Sequence, residues 1–268
     1  MTRARSQSIR SRPWWPLLLA PIVVSIGACS DEPDAPKPAP TPSEMGWSAI
    51  TEQQWPPGDE AQARDADLDI NPGRVNLAVV LDMSGSMAES RCAGDHRDKA
   101  AAARVALGRW IESVPDDANL GLVTFDASGV NVPVTPGTGN REAFLRAVGS
   151  TQAGGGTPLR SSLQEAHDLL AAQGRRQLGY GRYQLIVVTD GAHSSGENPA
   201  PIIETIVTNP ANPVELHTIG FCIDDSALRR PGWVNYQSAN NPAELAQGLS
   251  RVLAESTAFE PLEDFDEN

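Results

Sequence analysis

The chain has 268 residues, 40% of them hydrophobic and 5% aromatic, with a formal charge of -13 and a pI near 4.7. Such an acidic surface repels phosphate backbones and anionic headgroups, which excludes nucleic acid as a partner and excludes a membrane bound through charge. The charge divides as +4 over 1–12, -8 over 31–69, -3 over 70–254 and -6 over 255–268, and 11 of the 22 prolines lie at or before residue 72, so only the third stretch has the composition of a packed core. That stretch is one domain of about 185 residues.

Residues 1–28 begin with Arg3, Arg5, Arg10 and Arg12 and no acid, followed by PWWPLLLAPIVVSIGA. A basic start and a short apolar run form the layout of a secretory signal. The run is broken by Pro13, Pro16 and Pro21 and falls short of the roughly 20 residues that a spanning helix needs. Its end, Ile26-Gly27-Ala28-Cys29, resembles the lipobox of bacterial lipoproteins, with Ile where Leu is usual. The resemblance implies diacylation of Cys29 as the mature N-terminus and, with Ser30 following, sorting to the outer rather than the inner membrane of a Gram-negative envelope. Cleavage near Ala28 with Cys29 left as a thiol is the alternative.

Residues 29–72 are expected to be an acidic, proline-rich tether, with eight prolines and ten acids over 30–72 and no sustained apolar period. Such a segment cannot bury enough surface to offset its ordering entropy. Trp47 and Trp55 are unusual in a tether: either they dock on the domain or a partner, or the segment is unstructured throughout.

Over 73–257 strand and helix patterns alternate. RVNLAVVLD (74–82) is a β-branched apolar run that ends in Ser and Gly, as a buried parallel strand does. A helix is expected to open at Asp95, with Val105, Trp110, Ile111 and Val114 on one face. NLGLVTFD (119–126) is a strand, and VNVPVTP (130–136) follows too closely to cross over, so it returns antiparallel at an edge where Pro133 and Pro136 are tolerated. Asn140 starts a helix that packs Phe144 and Val148. Thr157-Pro158 starts another, with Leu159, Leu163, Ala166 and Leu170 inward and Gly174 as its stop. YQLIVVTDG (183–191) and VELHTIGF (214–221) are strands, and Asn241-Pro242 opens a last helix carrying Leu245, Leu249 and Val252. The predicted fold is α/β: a doubly wound, mostly parallel central sheet with one antiparallel edge strand and helices on both faces. Residues 258–268 form an acidic tail.

Ligands of such a sheet bind beyond the carboxyl ends of its strands. Three predicted loops there carry Asp82-Met83-Ser84-Gly85-Ser86, Gly154-Gly155-Gly156-Thr157 and Thr189-Asp190-Gly191. Asp82, Ser84, Ser86, Thr157 and Asp190 are hard oxygen donors, suited to Mg²⁺, Mn²⁺ or Ca²⁺ and poor for zinc. The strings DMSGSM, GGGTPL and TDG, in this order and context, resemble the von Willebrand factor type A domain and its metal-ion-dependent adhesion site over about residues 74–256. The resemblance implies that Ser84, Ser86 and Thr157 touch the metal, Mg²⁺ first among the candidates. Asp82 and Asp190 act directly or through water, and an open position takes an acidic residue from a protein partner. It further implies, through the family's sheet order, that the strand ending near Asp190 lies between those of Cys92 and Cys222, within reach of a Cys92–Cys222 disulfide.

Of the histidines, His217 lies inside a strand and is expected to be packed, while His193, close to Asp190, is the one candidate to touch a ligand. The chain lacks G-x-S-x-G, G-x-x-x-x-G-K-[ST] and G-x-G-x-x-G, the usual markers of a serine hydrolase, a P-loop nucleotidase and a dinucleotide enzyme. The expectation is therefore a non-enzymatic, lipid-anchored binding module of the bacterial cell envelope. A metal-dependent hydrolase or phosphotransfer enzyme using the same loops, and a structural assembly subunit, are the alternatives.

Overall fold

β1 (Val75–Asp82) sends Leu77, Val79 and Leu81 into one apolar cluster and Ala78 and Val80 into another. A strand buried on both faces is central, and it needs helices on each side. In the computed structural model, which describes Trp55, Pro56, Leu68, Asp69, Asn71, residues 73–223, Leu228, Arg229 and residues 231–257, this is its place. β2 (Asn119–Asp126), β3 (Gly129–Val134), β4 (Arg182–Thr189), β5 (Val214–Phe221) and β6 (Asn235–Ala239) complete a sheet of order β3-β2-β1-β4-β5-β6. All neighbours pair parallel except β3, which runs antiparallel to β2 at one edge. The proposed signal at 1–28, Cys29, most of the 29–72 tether and the 258–268 tail lie outside the described residues.

α1 (Lys99–Trp110), α2 (Arg141–Ser150) and α5 (Pro242–Thr257) cover one face through Leu107, Phe144, Val148, Leu245 and Leu249; α3 (Leu159–Arg176) and α4 (Ala200–Thr208) cover the other through Leu163, Leu170 and Ile203. The fold is the expected doubly wound α/β sheet with one antiparallel edge strand. No helix among the described residues is long and apolar enough to cross a membrane.

Several local expectations are corrected. α1 starts at Lys99 rather than Asp95, because Asp98 caps it by accepting the Ala101 N–H at 2.7 Å. Its buried stripe is Ala100, Ala103, Leu107 and Trp110, whereas Val105, expected inward, is 38% exposed. Gly174 does not stop α3. The helix continues to Arg176 and closes as a Schellman motif: Leu178 takes the left-handed position (φ 53°), its N–H donates to Arg175 O at 3.3 Å, and Gly179 N–H donates to Gly174 O at 2.8 Å. Gly174 lacks a Cβ for another reason, since one there would stand 3.0 Å from Trp55 Nε1. α4 and β6 have no counterpart in the sequence reading.

Candidate metal centre

At the end of β1 the chain doubles back. Met83 N–H donates to Phe125 O of β2 (2.9 Å), and Ser84 N–H donates to Asp82 Oδ1 (2.7 Å). A 3₁₀ turn over Gly85–Ala88 follows, and it sets Ser84 Oγ and Ser86 Oγ side by side, 3.1 Å apart. From Ser86 the hydroxyl donates to Asp190 Oδ1 just past β4, at 2.7 Å. From β4 itself, Thr189 Oγ1 donates to Asp82 Oδ2 at 2.6 Å. Parallel pairing of β1 with β4 is what brings the two acidic loops together.

The Gly154–Gly156 loop is stitched onto this turn: Gly154 N–H donates to Met83 O (2.8 Å) and Gly85 N–H donates to Gly155 O (3.1 Å). Gly155 sits at φ 79°, and a Cβ there would lie 2.6 Å from Asp126 O, so only glycine fits. Thr157 is fixed by Ser194, whose Oγ accepts the Thr157 N–H at 2.8 Å and whose N–H donates to Thr157 O at 3.0 Å. A Cβ added at Gly191 would lie 3.3 Å from Ser86 Oγ and 3.4 Å from Thr157 Oγ1, so two hydroxyls from separate loops flank one point that glycine leaves open.

Asp82, Ser84, Thr157 and Asp190 are buried and Ser86 is half-buried. Burial, opposed by hydrogen bonds from Ser84 and Thr189 and reinforced by the neighbouring Asp190, pushes the Asp82 carboxyl up to about 6. Its charge is therefore costly as the chain stands, and a cation would relieve that cost. The donor set is two carboxylates and three hydroxyls. No group of three or more His, Cys, Asp or Glu able to hold a metal occurs among the described residues. Oxygen donors of this kind suit a hard divalent cation better than zinc.

The sequence reading missed Lys99. Its side chain is 1% exposed, and its ammonium stands 2.5 Å from Asp190 Oδ2 and 3.2 Å from Glu89 Oε2. Asp190 Oδ2 has no hydrogen bond of regular geometry, so this ion pair is what satisfies it. One signal was available: a lysine at the first residue of a helix opposes the helix dipole and calls for a local reason.

Cys92 and Cys222 are joined in a disulfide, with Cα atoms 5.9 Å apart. It ties the loop between β1 and α1 to the end of β5, and Arg91 adds a bond to Cys222 O at 3.3 Å. His193 Nδ1 lies 3.1 Å from Ser194 O, engaged with its own loop. His217 is buried in β5 next to Glu215, at 3.5 Å.

Comparison with known proteins bears on the fold. The sequence model of the von Willebrand factor type A domain matches residues 77–193. No curated protein matches the sequence. Among solved structures, the pilus adhesin SpaC from Lactobacillus rhamnosus GG aligns with a TM-score of 0.54 at 17% identity, covering 71% of this chain and 31% of that one. A von Willebrand factor type A protein from Catenulispora acidiphila aligns at 0.52 with 22% identity, over 70% of this chain and 44% of that one. The von Willebrand factor domain of the type V pili tip protein Mfa5 from Porphyromonas gingivalis aligns at 0.52 with 13% identity, over 72% of this chain and 99% of that one. What these structures share with this protein is the fold, and the chain spans less than half of the first two. The family model lies across β1 to the Asp190 loop, so over residues 77–193 the chain is similar in sequence to the von Willebrand factor type A domain, and its fold is that of the structures above.

Proposed function

We propose that the protein binds a protein partner through a divalent cation, Mg²⁺ first and Mn²⁺ or Ca²⁺ as alternatives, held by Asp82, Ser84, Ser86, Thr157 and Asp190. The observation that carries this reading is the meeting of three loops: Ser86 bonded to Asp190, Ser84 beside Ser86, and Ser86 and Thr157 facing across Gly191. A bound divalent cation would supply an open coordination position to an acidic residue of the partner. The chain's own part is positional. Thr189 and the Ser84 N–H direct the Asp82 oxygens, the glycine loop sets Thr157, and the disulfide closes the neighbouring loop.

Around this centre we propose an exported envelope lipoprotein: a signal over 1–28, a diacylated Cys29, a tether over 29–72, the domain over 73–257 and an acidic tail over 258–268, with the outer membrane preferred in a Gram-negative cell. SpaC and Mfa5 are by name a pilus adhesin and a pilus tip protein, which supports a surface role. The domain is a binding module and not an enzyme in this reading, since His193, the one candidate base, is turned to Ser194 O.

Titration calorimetry of Mg²⁺ and Mn²⁺ into the wild type and Asp82→Ala tests the metal. Binding by the wild type and its loss in the variant are expected, and no binding by the wild type would overturn the reading. Capture of membrane proteins with and without a chelator then names the partner. Hydrolysis of phosphate esters with Mn²⁺ would point to the enzymatic alternative.

A further inference from the structure

Lys99 is a cation already built into this centre. It opens α1, where the helix's own N–H groups face it with partial positive charge, and it is buried, where an ammonium is tolerated only if paired. Two carboxylates hold it there against both effects, and they differ in kind: the Asp190 side chain is 0% exposed, that of Glu89 57%. The first is a donor of the proposed metal site and the second is not.

We propose that Lys99 is an exchangeable counter-ion of the site. In the metal-free protein it neutralises Asp190; when a divalent cation enters, it releases Asp190 and stays with Glu89. Metal affinity is then set by competition between two cations for one carboxylate. This inference rests on the metal-binding reading above and adds how that site is regulated.

Three observations carry it. Lys99 touches both carboxylates at once, so the transfer needs only a side-chain rotation. The Glu89 backbone is anchored beside Lys99, because its carbonyl accepts the Lys99 N–H at 2.9 Å, its N–H donates to Ser86 O at 3.0 Å, and its loop is closed by Cys92–Cys222. The charges also compete: an ammonium and a divalent cation sharing Asp190 repel strongly in a poorly screened interior, so one must give way. Without Lys99, Asp190 would stand in the metal-free protein as a buried charge with no counter-ion. The lysine therefore keeps the empty site folded and resists its filling.

The two partners of Lys99 predict opposite changes in one measured quantity. Lys99→Met removes the competitor, and Mg²⁺ should bind about tenfold or more tightly. Glu89→Gln removes the second station and strands the ammonium on Asp190, so Mg²⁺ should bind several-fold more weakly. Both are read by calorimetry on the full-length chain in detergent, with thermal melts in chelator and in Mg²⁺ alongside. Lys99→Met should melt lower than wild type in chelator and gain more from Mg²⁺. If it does not melt cooperatively in chelator, Lys99→Gln, which keeps a neutral donor, takes its place in the titration.

The inference is overturned if the wild type binds Mg²⁺ and the lysine variant binds it no more tightly, the result expected if Lys99 merely props Asp190 in place. An unchanged or tighter affinity in Glu89→Gln overturns it as well. Binding by the lysine variant alone supports it in its strongest form, provided that adding Asp82→Ala abolishes that binding. If none of the proteins binds Mg²⁺ or Mn²⁺, the metal-binding reading itself has failed and the inference falls with it.

Discussion

Thr189 reaches from β4 to β1 and donates its hydroxyl to Asp82 Oδ2 at 2.6 Å, while the Ser84 N–H holds Oδ1 at 2.7 Å. Each oxygen of the buried carboxylate thus has a donor, one from the turn that follows β1 and one from β4. Thr189→Val keeps the shape and deletes the hydroxyl. The unpaired Oδ2 should cost about 1–3 kcal/mol of stability in chelator, read from urea unfolding, because a buried acceptor is left without a partner. A smaller loss in excess Mg²⁺ is expected, since a cation would take over part of the charge. An equal loss in both conditions would separate Thr189 from the metal centre.

Asp82 also gives the domain a pH signature whose sign is fixed. Its carboxyl titrates near 6 in the fold against an ordinary 3.8, so between about pH 4 and 6 the folded chain keeps a proton that the unfolded chain has released. Stability contributed by this group is fully present below about pH 4 and is lost as pH rises through about 6. In chelator, the change in unfolding free energy between pH 4.5 and 7 should therefore differ between wild type and Asp82→Asn, with the wild type losing about 2 kcal/mol more over the rise. Mg²⁺ affinity of the wild type should increase over the same window as the ion displaces the proton. Parallel pH profiles for the two proteins would show that Asp82 titrates as an ordinary carboxyl.

How legible the molecule was in its sequence depended on whether a residue's role is local. β1 and β4 are buried on both faces, and their unbroken apolar runs announced it. α4 went unread because APIIETIVT is short, β-branched and flanked by prolines, a pattern shared with strands. β6, NYQSA, is a polar edge strand with neither an apolar run nor a clean alternation, and only its pairing with β5 identifies it. At the centre, five oxygen donors stood in order along the chain, but which oxygen meets which is set by the β1–β4 register. Lys99 was hidden because a lysine beside alanines reads as a solvated helix start; its burial comes from Asp190, 91 positions later in the numbering.

Opening the Cys92–Cys222 disulfide should weaken the fold more than the rim's few contacts suggest. The bond closes a loop across a sequence separation of 130, and in the chain-entropy account a longer loop means greater restriction of the unfolded state. The Cys92→Ser, Cys222→Ser double variant should lose about 2–4 kcal/mol in urea unfolding. Its Mg²⁺ affinity should fall as well, because the loop carrying Glu89 is no longer held at the end of β5. Under denaturing, non-reducing conditions, neither of these two positions should react with a thiol reagent in the wild type. Labelling of both would sink the prediction.

Trp55 should stabilise the domain without touching the metal centre. Its ring meets Tyr183 edge-on at 5.1 Å and His167 at 5.7 Å, and it lies over Gly174, where a Cβ would be 3.0 Å from Nε1. Tyr183 is near the start of β4 and Gly174 is in the last turns of α3, a helix that begins beside Thr157. Trp55 therefore meets the domain at the end of the sheet opposite Asp82 and Asp190. The expected tether is docked at this residue, and the folded unit includes Trp55. Trp55→Ala should cost about 1–3 kcal/mol in urea unfolding, less than at a fully buried site because the residue is half-buried, and a chain starting at residue 73 should lose more, since it also gives up the bonds of Asp69 and Asn71 to the domain. Mg²⁺ affinity measured by calorimetry should stay at the wild-type value in both, since no residue that Trp55 contacts belongs to the rim. A lowered affinity at unchanged stability would place Trp55 in communication with the centre and refute its purely anchoring role.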